Sequence, residues 1–356
     1  MILNSFNGTA QPAAKLTTSL DSLFQSYFKL NEPGGAILLV KDNKIIYKKA
    51  FGIRDINSQQ PITSKTLFNT GSVSKTFVAF GILKLAAENK LSLEDDLYKY
   101  FPEFKNAGIA KQVKLVHLLT HTSGLPDSRK IKAERDFYIV AKDEENFAPL
   151  LQTESLKFEP GTKYEYSNPA FNGLALVIQK ITAKKWQDYI RETIFLPAGM
   201  TTSTITDGAH PASGVAHGYI KNKKGEFEEL DYGEEPTFAA AGNGGVWSSV
   251  EELWKYEQAI QQNTFLDSAW INKSRTIYPF PGWKDPVAHR LGLSWFLTKE
   301  KNLAMTGHTG SQGGFVSDYC WIGEKKVFYV LLCNIPRPVK EIRDKLFGLL
   351  QQHWLK

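Results

Sequence analysis

Hydrophobic residues follow a similar plan at both ends of the chain. Near the start they recur at helical spacing and predict an amphipathic helix carrying Leu16, Leu20, Leu23, Phe24, Tyr27 and Phe28. Two short runs, 36–40 and 44–51, flank the turn residues Asp42-Asn43 and predict a β-hairpin. Near the end, strands are predicted over 314–322 and 326–333. A closing helix then carries Ile342, Leu346, Leu349 and Leu350.

The middle of the chain has a different periodicity. Between about residues 72 and 240 most periodic segments are helical, among them 77–87, 171–181 and 186–194. A later helix over 253–260 has two candidate capping boxes, Ser248 with Glu251 or Ser249 with Glu252. We therefore predict an α+β fold, an antiparallel sheet flanked by the N- and C-terminal helices with an all-helical domain inserted. The predicted sheet domain comprises 1–66 and 245–356, and the mainly helical insertion comprises 67–244.

Composition narrows the class of protein. The chain has 356 residues, 42% hydrophobic and 22% charged, which excludes a disordered or fibrous protein. Its longest apolar run in the second half, 327–333, is too short to cross a bilayer, so no integral membrane segment is expected. The net charge is +6, but the lysines are scattered, which argues against a nucleic-acid partner. The first five residues show no leader pattern, so no signal peptide is visible.

The two cysteines, Cys320 and Cys333, fall in the two predicted C-terminal strands. In a hairpin of these strands, Cys320 lies opposite Tyr329 and Cys333 opposite Val316. Several residues of strand then separate the two thiols, which is too far for a disulfide. We predict two buried thiols, which do not report the compartment.

Candidate chemistry begins with the Ser-Val-Ser-Lys segment from Ser72 to Lys75. An apolar helical run follows it, so Ser72 is expected at a helix start with Lys75 one turn later on the same face. A serine hydroxyl needs a base to act as a nucleophile, and a lysine in a dry cleft can be that base. The helix start also places the Ser72 amide where an oxyanion can form. Ser26 and Lys29 fit the same pattern on the solvent side of the opening helix, and a simple helix cap is an equal alternative for Ser72 alone.

The second candidate motif is Tyr166-Ser167-Asn168, the only Tyr-x-Asn in the chain. A tyrosine near a cationic lysine can act as a phenolate or as a proton shuttle. The side chain of Asn168 can orient Lys75 or bind a substrate carbonyl. A packing role for this loop tyrosine is the alternative.

The third candidate motif is His308-Thr309-Gly310, followed by Ser311. Glycines at this place allow a substrate backbone to approach a strand edge closely. The Ser311 amide can complete a two-donor oxyanion hole with the amide of Ser72. The alternative is an ordinary glycine-rich approach to a hairpin.

Two other kinds of site are weaker. His117 and His121 have a spacing that can present two zinc ligands on one helix face, but Leu118 stands where a metalloprotease motif needs glutamate. Gly124 and Pro126 then end any helix, so both histidines are interpreted as structural and no metal site is predicted. No Gly-x-Ser-x-Gly elbow and no nucleotide-binding loop occurs.

In their order, the three motifs resemble those of the serine β-lactamase and penicillin-binding-protein superfamily. The nearest branch contains class C β-lactamases, D,D-carboxypeptidases, D-aminopeptidases and related esterases. Segments 117–126, 196–200 and 242–245 strengthen the resemblance, which covers about 16–334. The chain departs from the related class A signature at Ser-Asp-Asn and at the lysine of Lys-Thr-Gly, where it has His308. The resemblance implies a β-lactamase/transpeptidase-like fold with its active site between the domains, and favours a periplasmic or secreted location, with a cytoplasmic one left open.

The resemblance also implies roles for the candidate residues. Ser72 is the nucleophile of an acyl-enzyme mechanism, and Lys75 and Tyr166 carry its proton. The amides of Ser72 and Ser311 hold the oxyanion. Substrate-binding and oxyanion residues are Asn168, His308, Thr309, Gly310 and Ser311. This chemistry needs no metal and no cofactor.

The identity of residue 308 bears on the substrate. The family's β-lactamases usually carry lysine there, and that cation is thought to help hold a substrate carboxylate. We therefore favour a D-amino-acid peptidase or amidase, or a small-ester esterase, and weak β-lactam hydrolysis is allowed. His308 is either a titrating cation or an always-neutral hydrogen-bonding group. Alternatives are a β-lactam-binding sensor that acylates but barely turns over, and a true class C-like β-lactamase. The expected partner is a small-molecule or peptide substrate, and the acyl group and oligomeric state stay open.

Overall fold

The computed structural model describes residues 10–126, 142–205, 214–230, 241–284, 291–300 and 302–353. Its helices, in chain order, are α1 (Ala10–Gln25), α2 (Ser74–Ala87), α3 (Ala107–Gln112), α4 (Leu115–Leu119), α5 (Asp143–Leu151), α6 (Asn168–Thr182), α7 (Trp186–Ile190), α8 (Val250–Gln261), α9 (Ser268–Ser274) and α10 (Val339–His353). Its strands are β1 (Gly35–Lys41), β2 (Lys44–Phe51), β3 (Phe68–Asn69), β4 (Thr204–Ile205), β5 (Tyr219–Lys221), β6 (Phe227–Glu229), β7 (Val246–Ser248), β8 (Phe296–Glu300), β9 (Leu303–Gln312), β10 (Phe315–Ile322) and β11 (Val327–Cys333).

A six-stranded sheet built from both ends of the chain is the centre of the fold. Its order is β2-β1-β11-β10-β9-β8, and neighbouring strands run antiparallel. The predicted α+β class is confirmed, and the four predicted strands match β1, β2, β10 and β11 to within a residue or two. The sequence did not predict β8 or β9. Threonine, glycine and histidine occupy 306–310 of β9, so the apolar alternation that marks a strand is weak there.

Local geometry supports the two predicted hairpins. Asp42 and Asn43 both have positive φ, 50° and 60°, as a two-residue turn between twisted strands requires. In the second hairpin Cys320 pairs with Tyr329 and Cys333 with Val316, as predicted. Both cysteines are buried free thiols.

Hydrophobic side chains cover both faces of the sheet. On β1, Ile37 and Leu39 point to a rear core that α1 and α10 complete, with Leu20 and Leu346 among its members. The rear core is one layer of helices on a sheet, as the amphipathic pattern of the two terminal helices predicted.

The alternate residues of β1 face the opposite core. Ala36, Leu38 and Val40 join a front core that includes α2, α6 and α8. This single cluster takes side chains from both 67–244 and the sheet segments, so the division into 1–66 with 245–356 and 67–244 stays a prediction. Among the described residues, no helix is long and apolar enough to cross a membrane.

Candidate active site

A tight turn brings Ser72 to the start of a buried helix. Gly71–Val73 forms a 3₁₀ turn that leads directly into α2, so Ser72 lies two residues before the α-helix rather than within it. Gly71 has a φ of +52°, and its amide donates to the Asn69 side chain at 2.8 Å. Lys75 is fully buried one turn later, and its Nζ lies 3.0 Å from Ser72 Oγ.

Two carbonyl oxygens hold the amine of Lys75 beside this serine. Nζ donates to Asn168 Oδ1 at 3.0 Å and to the Asn243 backbone oxygen at 2.6 Å. Carbonyl oxygens only accept hydrogen bonds. An uncharged amine that gives its two N–H groups to them can therefore turn its lone pair toward the hydroxyl of Ser72. The sequence placed Asn243 only in a glycine-rich segment and did not reveal this contact.

Tyr166 forms one wall of the same space. The Lys75 Nζ lies 5.1 Å from the centre of its ring, and His121 stacks on the ring at 4.2 Å. The Ser167 amide donates to His121 Nδ1 at 3.1 Å, which fixes the imidazole. Ser167 also caps α6 through a bond from the Ala170 amide. Cap geometry thus places Tyr166 and Asn168, on either side of Ser167, next to Lys75.

Strand β9 approaches the turn that carries Ser72 without intervening side chains. A Cβ atom on Gly310 would lie 2.9 Å from the Ser72 amide nitrogen, and one on Gly71 would lie 2.7 Å from the Ser311 amide nitrogen. The two amides therefore belong to one small region between strand and turn, where both can donate to a single oxyanion. Ser317 fixes the approach, because its Oγ donates to the Thr70 carbonyl at 2.7 Å.

The open part of β9 carries the third motif. β8 pairs with residues 303–307 of β9. Residues 308–312 of β9 therefore extend past the start of β8. Thr309 and Ser311 are exposed, whereas His308 and Gly310 are buried. This alternation gives the strand edge a solvent-facing side that an extended substrate can contact.

His308 is buried and electrically neutral. Only 3% of it is exposed, and burial together with the nearby Lys75 lowers its pKa to about 3. Its Nδ1 lies 2.6 Å from the Thr309 carbonyl oxygen. A carbonyl only accepts, so the proton of the neutral ring is on Nδ1. The structure therefore favours the neutral alternative for His308 over the carboxylate-binding cation.

An aromatic residue that the sequence did not reveal lines the site. The ring of Phe296, half-buried at the start of β8, lies 4.9 Å from His308 and 6.5 Å from Tyr166. Because β8 itself was not predicted, no periodic signal marked Phe296. His121 was likewise interpreted only as structural, although it stacks on the catalytic candidate Tyr166.

The competing sequence patterns have ordinary structural partners. The Ser26 hydroxyl donates to the Leu23 carbonyl at 2.6 Å on the surface, and Lys29 pairs with Glu32 at 3.3 Å. α4 ends before His121, which has a φ of +57°, so His117 and His121 do not share a helix face. Within the described ranges, no group of three His, Cys, Asp or Glu residues could hold a metal ion.

Comparison with known proteins gives a consistent picture. A family model described as Beta-lactamase matches residues 20–352. Penicillin-binding protein 4* of Bacillus subtilis is 30% identical over 262 residues, covering 70% of this chain and 57% of that protein. Protein flp of Staphylococcus aureus is 26% identical over 338 residues, covering 88% and 63%. The chain thus spans about three fifths of the length of these relatives.

Solved structures share the fold. The octameric penicillin-binding protein homologue from Pyrococcus abyssi superposes with a TM-score of 0.79 at 26% identity, over 95% of this chain and 77% of that one. The D-amino acid amidase from Ochrobactrum anthropi SV3, complexed with L-phenylalanine amide, gives 0.78 at 20% identity, over 96% and 99%. At that identity the amidase shows a common fold alone.

Proposed function

The chain belongs to the beta-lactamase family, and from this premise we propose that it is a serine hydrolase that forms an acyl-enzyme on Ser72. One observation carries the proposal. Lys75 Nζ lies 3.0 Å from Ser72 Oγ, while two carbonyl oxygens occupy its N–H groups. A base so placed can remove the hydroxyl proton as the oxygen attacks.

The proposed reaction has two halves. In the first, Ser72 Oγ attacks an amide or ester carbonyl, Lys75 takes the proton, and the Ser72 and Ser311 amides hold the oxyanion. Tyr166, beside Lys75, relays the proton to the leaving group, whose bond to the carbonyl carbon breaks. In the second, water beside Tyr166 attacks the acyl carbon and passes a proton to the Tyr166–Lys75 pair. The bond from the carbonyl carbon to Ser72 Oγ breaks, the acid is released, and the pair returns the proton to Ser72. Asn168 and Thr309 position the substrate.

The walls of the site support a substrate class. The half-buried ring of Phe296 lines the strand edge, and the buried, neutral His308 next to it adds no charge. Such a surface suits an apolar side chain better than a free carboxylate. We therefore place D-amino-acid amides and peptides and small esters first, with weak β-lactam hydrolysis as a side activity. The fold shared with a D-amino acid amidase is consistent with this choice.

The nucleophile is tested with a matched pair of variants. Ser72→Ala should abolish covalent labelling by a fluorophosphonate or a β-lactam, detected by intact mass. Ser26→Ala changes the other Ser-x-x-Lys segment and leaves the one at Ser72 intact. This variant should be labelled like the wild type. Labelling that survives Ser72→Ala contradicts the proposal.

A turnover panel separates the alternatives for the same site. A cephalosporin, a D-Ala-D-Ala peptide, a D-aminoacyl amide and a short p-nitrophenyl ester should be compared at equal enzyme concentration. We expect the amide or the ester to turn over fastest. A stable acyl-enzyme without turnover would identify a sensor, and fastest cleavage of the cephalosporin a class C-like β-lactamase. The resemblance to penicillin-binding proteins leads us to propose a periplasmic or secreted location.

A further inference from the structure

A buried carboxylate outside all three motifs lies at the start of α5. Asp143 is only 6% exposed, and three N–H groups donate to it. The Gly242 amide and Asn172 Nδ2 donate to Oδ1 at 2.8 and 2.7 Å, and Trp186 Nε1 donates to Oδ2 at 2.8 Å. Burial raises the pKa of Asp143 to about 7, while the three donors favour the charged form and oppose that rise.

Two of these donors connect Asp143 to the base of the active site. Gly242 directly precedes Asn243, whose carbonyl oxygen accepts from Lys75 Nζ at 2.6 Å. Asn172 Nδ2 also contacts Asn243 Oδ1 at 3.2 Å. The Asp143 carboxylate therefore fixes Asn243, and Asn243 in turn holds Lys75. Asp143 acts on Asn243 by two routes, one through the backbone and one through the amide side chains.

The segment that carries Asn243 needs such an anchor. Three of its neighbours are Gly242, Gly244 and Gly245, and glycine leaves the backbone more freedom than any other residue. The amides of Gly244 and Gly245 both donate to the Ala241 carbonyl, which closes the turn but does not attach it to a helix. The Gly242–Asp143 hydrogen bond ties the turn to α5.

We propose that Asp143 is a positioning residue for acylation, which fixes the turn at Gly242 and Asn243 so that Lys75 stays within reach of the Ser72 hydroxyl. The inference rests on the proposed function, because it assumes that Lys75 is the base. Asp143 itself does not touch the reacting atoms. Its removal should slow the chemical step and leave substrate binding largely intact.

The variant Asp143→Ala tests this, because it removes the acceptor of both routes to Asn243. The Gly242 amide and Asn172 Nδ2 then lose their shared partner, and the turn is no longer anchored to α5. We expect kcat for an ester to fall about 10- to 100-fold, the scale for a reacting group displaced by about 1 Å. KM should stay within about threefold. The rate of Ser72 labelling by a fluorophosphonate should fall with kcat.

The matched control is Trp186→Phe, which removes the donor to the other carboxylate oxygen and leaves both routes to Asn243 in place. We expect a lower melting temperature but kcat and labelling rate within about twofold of wild type. A kcat unchanged in Asp143→Ala, or an equal loss in both variants, overturns the proposal, since a general loss of packing would affect both alike.

A further variant keeps the test decisive if Asp143→Ala does not fold. Asn172→Ala removes the side-chain route alone and should also lower kcat at constant KM; an unchanged kcat there also overturns the proposal. The wild type separates the two levels of inference. A wild type that is never labelled at Ser72 refutes the proposed function, whereas equal labelling of wild type and variants refutes only the role of Asp143.

Discussion

Single residues in this site have their charge state set by burial. Burial of His308 inside the protein disfavours the protonated ring, and Lys75 adds to this effect whenever its own amine is protonated. Its ring therefore stays neutral through the range in which an exposed histidine would titrate. Where the family's β-lactamases usually carry a lysine, this chain therefore has an uncharged side chain. It cannot attract a substrate carboxylate by charge at neutral pH.

The neutral state of His308 has a kinetic consequence. Since its pKa is lowered to about 3, no proton leaves its ring between pH 6 and 8. KM for a substrate with a free carboxylate and KM for its methyl ester should therefore follow parallel curves over this range. The measurement is KM against pH for this matched pair. A KM that rises with pH for the carboxylate alone would show that His308 titrates and binds the carboxylate as a cation.

At the scale of elements, β9 lies close against the 3₁₀ turn that carries Ser72. Gly310 and Gly71 leave no side chain between strand and turn, so the backbone amides of Ser72 and Ser311 approach one another. The position of the Ser72 amide relative to the Ser311 amide depends on two elements that are more than 200 residues apart in sequence. Precision at this contact sets the geometry of the oxyanion hole.

The variant Gly310→Ala tests the contact between these elements. Its Cβ would press on the Thr70 carbonyl and on the Ser72 amide, so strand and turn must move apart. We expect kcat to fall about 100-fold, because both oxyanion donors are displaced, and stability to fall by about 1–3 kcal/mol.

Gly282→Ala is the control for this substitution, since among the described residues its Cβ would meet only the Thr162 methyl group, at 3.4 Å. Activity of Gly282→Ala should remain within about twofold of wild type. Steady-state kinetics and thermal melting of both variants provide the comparison. A fully active Gly310→Ala protein would show that the strand does not need this close approach.

In the whole molecule, the sheet lies between two cores. Its stability depends on pH because buried histidines stay neutral in the folded state. His117 is 9% exposed. Burial, and to a lesser degree Lys114, lowers its pKa to about 4. In the unfolded chain a histidine titrates near 6.5. Between these values the unfolded chain binds a proton that the folded chain does not, so folding free energy is lost as pH falls from about 6.5 to 4.

The variant His117→Gln should flatten this acid loss. The Lys114 amide donates to His117 Nδ1 at 3.0 Å, and glutamine at the same helical position can accept that bond as in a capping box. The titration alone is then removed, which is worth about 3 kcal/mol between pH 6.5 and 4. Urea unfolding of both proteins at pH 7, 5.5 and 4.5 provides the measurement. Equal losses in the two proteins would mean that His117 is protonated in the folded state.

Several features of this protein are encoded by consecutive residues and could be predicted from their order. Strands β1, β2, β10 and β11, the terminal helices and the free cysteines followed from apolar periodicity and turn residues, because side-chain direction repeats every two or 3.6 residues. The proximity of Ser72 and Lys75 followed for the same reason, since one helical turn separates them. The order of the three motifs was enough to indicate the family.

Other features depend on residues that are far apart in the chain, and these became clear from the folded structure. In the structure Ser249, rather than Ser248, caps α8. Ser249 Oγ accepts from the Glu252 amide, while Ser248 belongs to β7. The fold also brings Asn243, Phe296 and Asp143 to the site from segments outside the three motifs. Burial in the folded protein also keeps His308 neutral. Burial and long-range contacts set these outcomes, and neither is a property of a local pattern.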